Sequence, residues 1–169
     1  GKNNRGINWD FYNSKLSPFI EIFSMHGCSI DEDNPFTMLH DMGTIKGNGT
    51  AISGWSINKI FGIIGSTDHH GGYPGSFGQG RMAVISKDNS KHELWNSFKK
   101  RRVYAATGDK INLFFTINNV QMGSKINKWK IRSIKVQVSS ISSIASVILY
   151  KNDKKYRVFN IKSKKEIKK

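Results

Sequence analysis

The sequence predicts an α/β portion running to about Gly108, followed by a small antiparallel β portion, and three features carry that prediction. Two continuous apolar runs, "SPFIEIFSMH" (17–26) and "KIFGIIGS" (59–66), lack the alternation of a half-buried strand. Continuous apolar strands next to helices favour a parallel sheet covered on both faces. A capping box, Ser90 with Glu93 three residues later, announces a helix. From residue 110 the pattern changes to alternation, the mark of an antiparallel sheet with one wet face.

Taken in order, the first run is bounded by Pro18 and Gly27 and reads as a buried strand. Residues 31–49, with "DEDNP" and "KGNG", form an acidic and then glycine-rich loop. A short helix is expected from Thr50 to Asn58 despite Gly54 inside it. "KIFGIIGS" is the second buried strand and "RMAVIS" (81–86) a third. The capped helix carries Leu94, Trp95 and Phe98 and should run to about Arg102, its basic end suited to a helix C-terminus.

Beyond Gly108, "KINLFFTINNVQMGSKI" reads as a hairpin turning at Asn118-Asn119. "IRSIKVQVSS" puts Ile134, Val136 and Val138 on one face, with Lys135 and Gln137 on the other. "ASVILYKND" and "YRVFNI" supply two more strands, and residues 162–169 read as a frayed tail. The domain reading is therefore 1–108 and 109–169.

Composition narrows the function classes. The chain has 169 residues, 37% hydrophobic and 11% aromatic, a globular balance rather than a disordered one. No run approaches the roughly 18 apolar residues of a spanning helix, so the chain reads as soluble with no membrane span. The start, Gly-Lys-Asn-Asn-Arg-Gly, has neither an initiator Met nor an apolar signal core and reads as a processed or truncated start, with any targeting region absent from this chain and the compartment left open. Cys28 is the only cysteine, which excludes an internal disulfide and a cysteine zinc cluster. Charge is uneven: residues 1–98 hold 8 Lys/Arg against 9 Asp/Glu, and residues 99–169 hold 19 against 3. The basic half would attract nucleic acid or anionic lipid. In linear sequence its aromatic residues are not interleaved with the lysines as a stacking platform requires, which favours a solvated lysine-rich surface.

The chemistry centres on "GSTDHHGG" (65–72). If the strand continues extended, Asp68 and His70 lie two apart on one face, and His69 points the other way. A carboxylate and an imidazole at a strand end make a half-site for Zn, Mn or Fe. His26, directly before Gly27, ends the first strand in the same manner, so the side chains would converge at one rim. Glu21 falls on the opposite face of an ideal strand from His26, where it would support a ligand from behind or pair with a base. His40 and His92, in loop and helix-start contexts, are expected at the surface. The glycines at 71, 72, 75, 78 and 80 do not make a P-loop, because the Gly-Lys-Ser/Thr ending is missing. They could present backbone N–H groups to an anion with Arg81 as charged partner, or form a flexible lid or turn. Ser24, Ser66 and Cys28 have no assigned base and are set aside as nucleophiles.

Four longer stretches, "FIEIFSMHG", "FGIIGSTDHHGGYPGSFGQGR", "LWNSFKKRRVYAATGDKI" and "NNVQMGS", occur in an order that resembles one bacterial family. It is domain of unknown function family 3604, a branch of the PHP (polymerase and histidinol phosphatase) superfamily, and the resemblance extends to about residue 152. It implies the C-terminal part of a distorted (β/α)7 barrel holding two or three divalent ions, often zinc, manganese or iron. The implied activity is hydrolysis of phosphoester or related ester bonds of a small-molecule substrate by metal-activated water. By resemblance Asp68 and His70 match the last metal motif, His26 the "HG" motif and Glu21 the acidic residue of the preceding strand. Arg81 matches a family position and is carried as a substrate-binding candidate. The His-x-His motif that opens such sites is missing, since residues 1–16 contain no histidine, and Ile30 replaces the family's usual acidic residue. The resemblance therefore implies a fragment with part of a site, little active alone. The alternative is a non-catalytic module whose basic β portion docks acidic partners or nucleic acid.

Overall fold

A computed structural model describes residues 6–32, 47–76, 79–127, 131–152 and 154–168. Among these are nine strands: β1 (Phe19–Ser24), β2 (Gly27–Cys28), β3 (Gly62–Gly65), β4 (Arg81–Val84), β5 (Val103–Ala106), β6 (Ile111–Ile117), β7 (Val120–Gln121), β8 (Ile134–Lys151) and β9 (Lys154–Lys168). The α-helices are α1 (Ala51–Ser56) and α2 (Lys91–Lys99). Strands form three small sheets, ordered β2-β1-β3, β4-β5 and β7-β6-β8-β9.

This corrects the expected fold class: the described residues are mostly β, and they form no (β/α)7 barrel. Only β1 and β3 pair in parallel among the described strands, in register from Phe19↔Gly62 to Phe23↔Gly65, with α1 between them in sequence. Every other described pairing is antiparallel. The two apolar runs do form the parallel pair expected of them, but the pairing stops there: the third strand of that sheet, β2, is antiparallel and only two residues long, so the parallel sheet does not extend. In β3 only four residues are extended, and two of them are glycines admitting close neighbours. A Cβ on Gly62 would meet Val103 Cγ2 at 2.9 Å, and one on Gly65 the Arg81 carbonyl at 3.0 Å.

The core explains α1. Trp9, Ile20, Ile22, Ala51 and Phe61 are buried together, with Trp55 and Tyr12 packed against them. Phe61 is stacked between Trp9 (centroids 5.0 Å) and Trp55 (5.3 Å). The Trp9 indole donates to the Thr50 carbonyl at 3.1 Å, and Thr50 caps α1 by accepting from the Ser53 N–H. Gly54, an unfavourable helix residue, is where the Trp9 ring lies: a Cβ there would come within 2.7 Å of Trp9 Cε2.

Helix α2 begins as expected, with Ser90 Oγ accepting from the Glu93 N–H. The reciprocal half of the box is filled differently, because Asp88 Oδ1 accepts from the Ser90 N–H at 2.8 Å. A hydrogen bond from the Ser90 hydroxyl, together with that from the Ser90 N–H, holds the Asp88 carboxyl below its ordinary range. The helix ends three residues earlier than expected. Arg101 takes a left-handed φ of 56°, its N–H donating to the Phe98 carbonyl, while the Arg102 N–H reaches back to Ser97. This is a Schellman stop with arginine in the place usually held by glycine, which is why composition did not show it.

The turn at Asn118-Asn119 forms as expected, with φ of 51° and 65° closing β6 onto β7. Ile134, Val136 and Val138 are more buried than Lys135 and Gln137. The two strands expected over 131–152 are one, β8, and the tail expected to fray instead runs within β9 along β8, with Lys168 opposite Gln137.

Candidate metal centre

Pairing between β1 and β3 continues past their ends and builds the site. The Ser66 N–H donates to the Phe23 carbonyl at 2.9 Å and the Met25 N–H to Thr67 at 3.3 Å. The chain then reverses at once, since Ser24 pairs antiparallel with Gly27, whose φ is 120°. His26 is thus at the tip of a tight β1–β2 turn, its own N–H held by Ser24 Oγ at 3.2 Å. That turn sets the buried His26 ring beside the segment that follows β3.

Asp68 and His70 arrive by a different route from the one expected. Strand β3 ends at Gly65, and Asp68 adopts a left-handed φ of 46°. The argument that an extended strand places both on one face does not hold; a turn re-aims them. Asp68 Oδ2 lies 3.3 Å from His26 Nε2, and the His26 and His70 ring centroids are 5.3 Å apart. One donor atom from each of His26, Asp68 and His70 lies within 4.8 Å of the others. At ligand distances of about 2.1 Å, two donors on a tetrahedral ion are roughly 3.4 Å apart, so the His26–Asp68 spacing fits. His26 is buried while Asp68 and His70 are exposed, leaving one side open to solvent.

The remaining candidates are placed as follows. Glu21 is exposed and accepts a short hydrogen bond from Ser66 Oγ, outside the three-residue group. His69 turns to the glycine loop, its Nδ1 accepting from the Gly71 N–H at 2.9 Å and its ring edge-on to Tyr73. Arg81 donates to the carbonyls of Gly75 (3.4 Å) and Gly108 (3.1 Å), clamping the glycine loop to the end of β5. His92 is exposed at the start of α2, within 3.2 Å of Glu93. His40 and Gly78 lie outside the described residues. The sequence reads Gly80 as part of an anion-presenting loop or a turn; in the structure a Cβ there would come within 2.7 Å of the Phe23 carbonyl. That close approach keeps the loop against the strand ends carrying the site, and no linear signal marks it.

Cys28 lies buried in β2, and burial pushes its thiol above the ordinary range, with the Asp31 charge adding to it and a backbone bond at Ile30 opposing it. The thiolate is the reactive form. Iodoacetamide at pH 8 is therefore expected to alkylate native Cys28 at least about tenfold more slowly than the urea-unfolded chain. Equal rates would show that the thiol is not shielded.

The geometry defines a candidate divalent-metal centre built on a small β scaffold. Among known proteins, the chain is 28% identical over 165 residues to an uncharacterized protein of Chlamydia trachomatis serovar D, covering 88% of this chain and 27% of the relative. It is 28% identical over 133 residues to an uncharacterized protein of Chlamydia muridarum, covering 72% of this chain and 21% of the relative. The chain thus spans about a quarter of the length of the curated relatives it matches. No family model matches, and no solved structure matches. No helix among the described residues is long and apolar enough to cross a membrane.

Proposed function

We propose that this chain carries part of a divalent-metal centre, with zinc, manganese or iron as occupant, serving hydrolysis of a phosphoester or related ester. The observation that carries the reading is the convergence of His26, Asp68 and His70 within 4.8 Å, with Asp68 3.3 Å from His26. Imidazole and carboxylate donors suit these ions. A bound ion of this kind lowers the pKa of a coordinated water and polarises a phosphoryl or carbonyl oxygen. The residues' own part is positional: the β1–β2 turn holds His26, and the turn after β3 presents Asp68 and His70 toward solvent. Arg81, tied to Gly75 and Gly108, keeps the adjoining glycine loop in place and remains the substrate-side candidate. The motif resemblance supports the hydrolytic class. The resemblance implies further donors beyond these three for hydrolysis.

The test is competitive titration of zinc or manganese into the chain against a chelating indicator. Saturable uptake that a His70→Ala variant of unchanged circular dichroism loses would support the centre. Uptake equal in chain and variant would remove it.

A further inference from the structure

Beyond Ser140, strand β8 leaves β6 behind and pairs only with β9 among the described residues. Residues 141–151 and their partners form a two-stranded arm roughly 35 Å long, at about 3.3 Å per residue. A ribbon of two strands is marginal in water unless something packs on it. This one leaves Ile141, Ile148 and Val158 exposed, and Tyr150 and Tyr156 are 54% and 64% exposed. Val158 lies directly opposite Ile148.

The register does what the linear sequence does not: it interleaves aromatic rings with cations. Tyr150 lies opposite Lys155, and the shift between Leu149 and Tyr150 sets Tyr156 at a bulge. Lys151 Nζ stands 5.6 Å from the Tyr156 ring centre and Arg157 Cζ 4.9 Å from that of Phe159. Lys154 and Lys155 complete the cluster at the tip. Asp153, the one acidic residue of the sequence in 141–161, lies outside the described residues.

We propose that the β8–β9 arm is a docking surface for single-stranded nucleic acid. Lys151, Lys154, Lys155 and Arg157 take phosphates, and Tyr150 and Tyr156 stack unpaired bases. A cationic surface alone suits any polyanion; exposed rings beside the cations favour a ligand that is anionic and has flat faces. A membrane-inserting tip would be apolar, whereas this tip is the most charged part of the arm.

The experiment uses the whole 169-residue chain and a labelled oligothymidylate, with a chelator present, so that its outcome is independent of the metal centre. Saturable binding is expected, weakening about 50-fold between 50 and 200 mM salt if four cations each release a counterion from single strands. Lys154→Ser and Lys155→Ser should each lower the salt slope by about 0.7. Tyr150→Ala and Tyr156→Ala should each weaken binding about tenfold with the slope unchanged. All four positions are exposed, and unchanged circular dichroism excludes misfolding. The proposal is overturned by any of four results: no binding at low salt, equal competition by polyglutamate, preferential binding to phosphatidylserine vesicles, or indifference to the tyrosine variants.

Discussion

Gly123→Ala is expected to cost about 3 kcal/mol of stability, the sum of a left-handed backbone penalty and a steric overlap. Gly123 has a φ of +84° and sits where the turn after β7 crosses the end of α2. A Cβ there would overlap the carbonyl oxygens of Lys100 and Arg101 and come within 2.7 Å of Arg101 C. These are backbone atoms held by the Schellman stop, with Arg101 itself donating from Nε to the Gly123 carbonyl at 3.1 Å. They cannot move aside as a side chain can. Thermal unfolding should fall by roughly 6–12 °C for a chain of this size. Gly72 provides the control, because its φ of +81° is similar but open space surrounds it. Gly72→Ala should therefore cost only the backbone part, about 1 kcal/mol. Equal losses in the two variants would show that the contact over α2 contributes nothing.

The second large effect concerns the metal centre. Losing a partner that merely orients a ligand costs roughly 10–100-fold in metal affinity, so losing a ligand should cost at least about 100-fold. His26→Ala, Asp68→Asn and His70→Ala are each expected to weaken zinc or manganese binding by that amount in the indicator titration. Glu21→Gln and His69→Gln should change it less than about twofold, because neither side chain belongs to the converging group. The contrast between His69 and His70 is the sharpest arm, since the two are adjacent and similar in chemistry. Loss of affinity in both would mean that the glycine turn, not a particular imidazole, governs uptake. Asp68 and His70 are exposed, so their variants should keep the fold; His26 is buried, and its variant is read alongside a melting curve.

Local features were legible in the residues wherever short-range chemistry decides. Ser90 and Thr50 start helices because their hydroxyls accept nearby N–H groups. The Asn118-Asn119 pair turns β6 back because asparagine tolerates positive φ. Ile134, Val136 and Val138 share a face because strand side chains alternate. Asp68, His70 and His26 were legible as imidazole and carboxylate groups just past the ends of two apolar runs.

What could not be read locally were distances between segments far apart in sequence. The parallel pairing read from the two apolar runs does form between β1 and β3, but one such pair does not say how many strands join it, so "KIFGIIGS" did not distinguish a barrel from the small sheets that form. The extended geometry assumed for 66–70 fails because a left-handed turn at Asp68 costs little to aspartate and is compensated by contacts with β1. Arg101 stops α2 in a conformation its side chain does not advertise. The tyrosines and lysines of the β8–β9 arm look separate along the chain and become neighbours only through cross-strand register. Composition and short-range hydrogen bonding therefore set which turns, caps and strands exist and which side chains hold the chemistry. Long-range pairing, which chooses among many compatible neighbours by packing, set the sheet directions, the meeting of His26 with Asp68, and the interleaved arm.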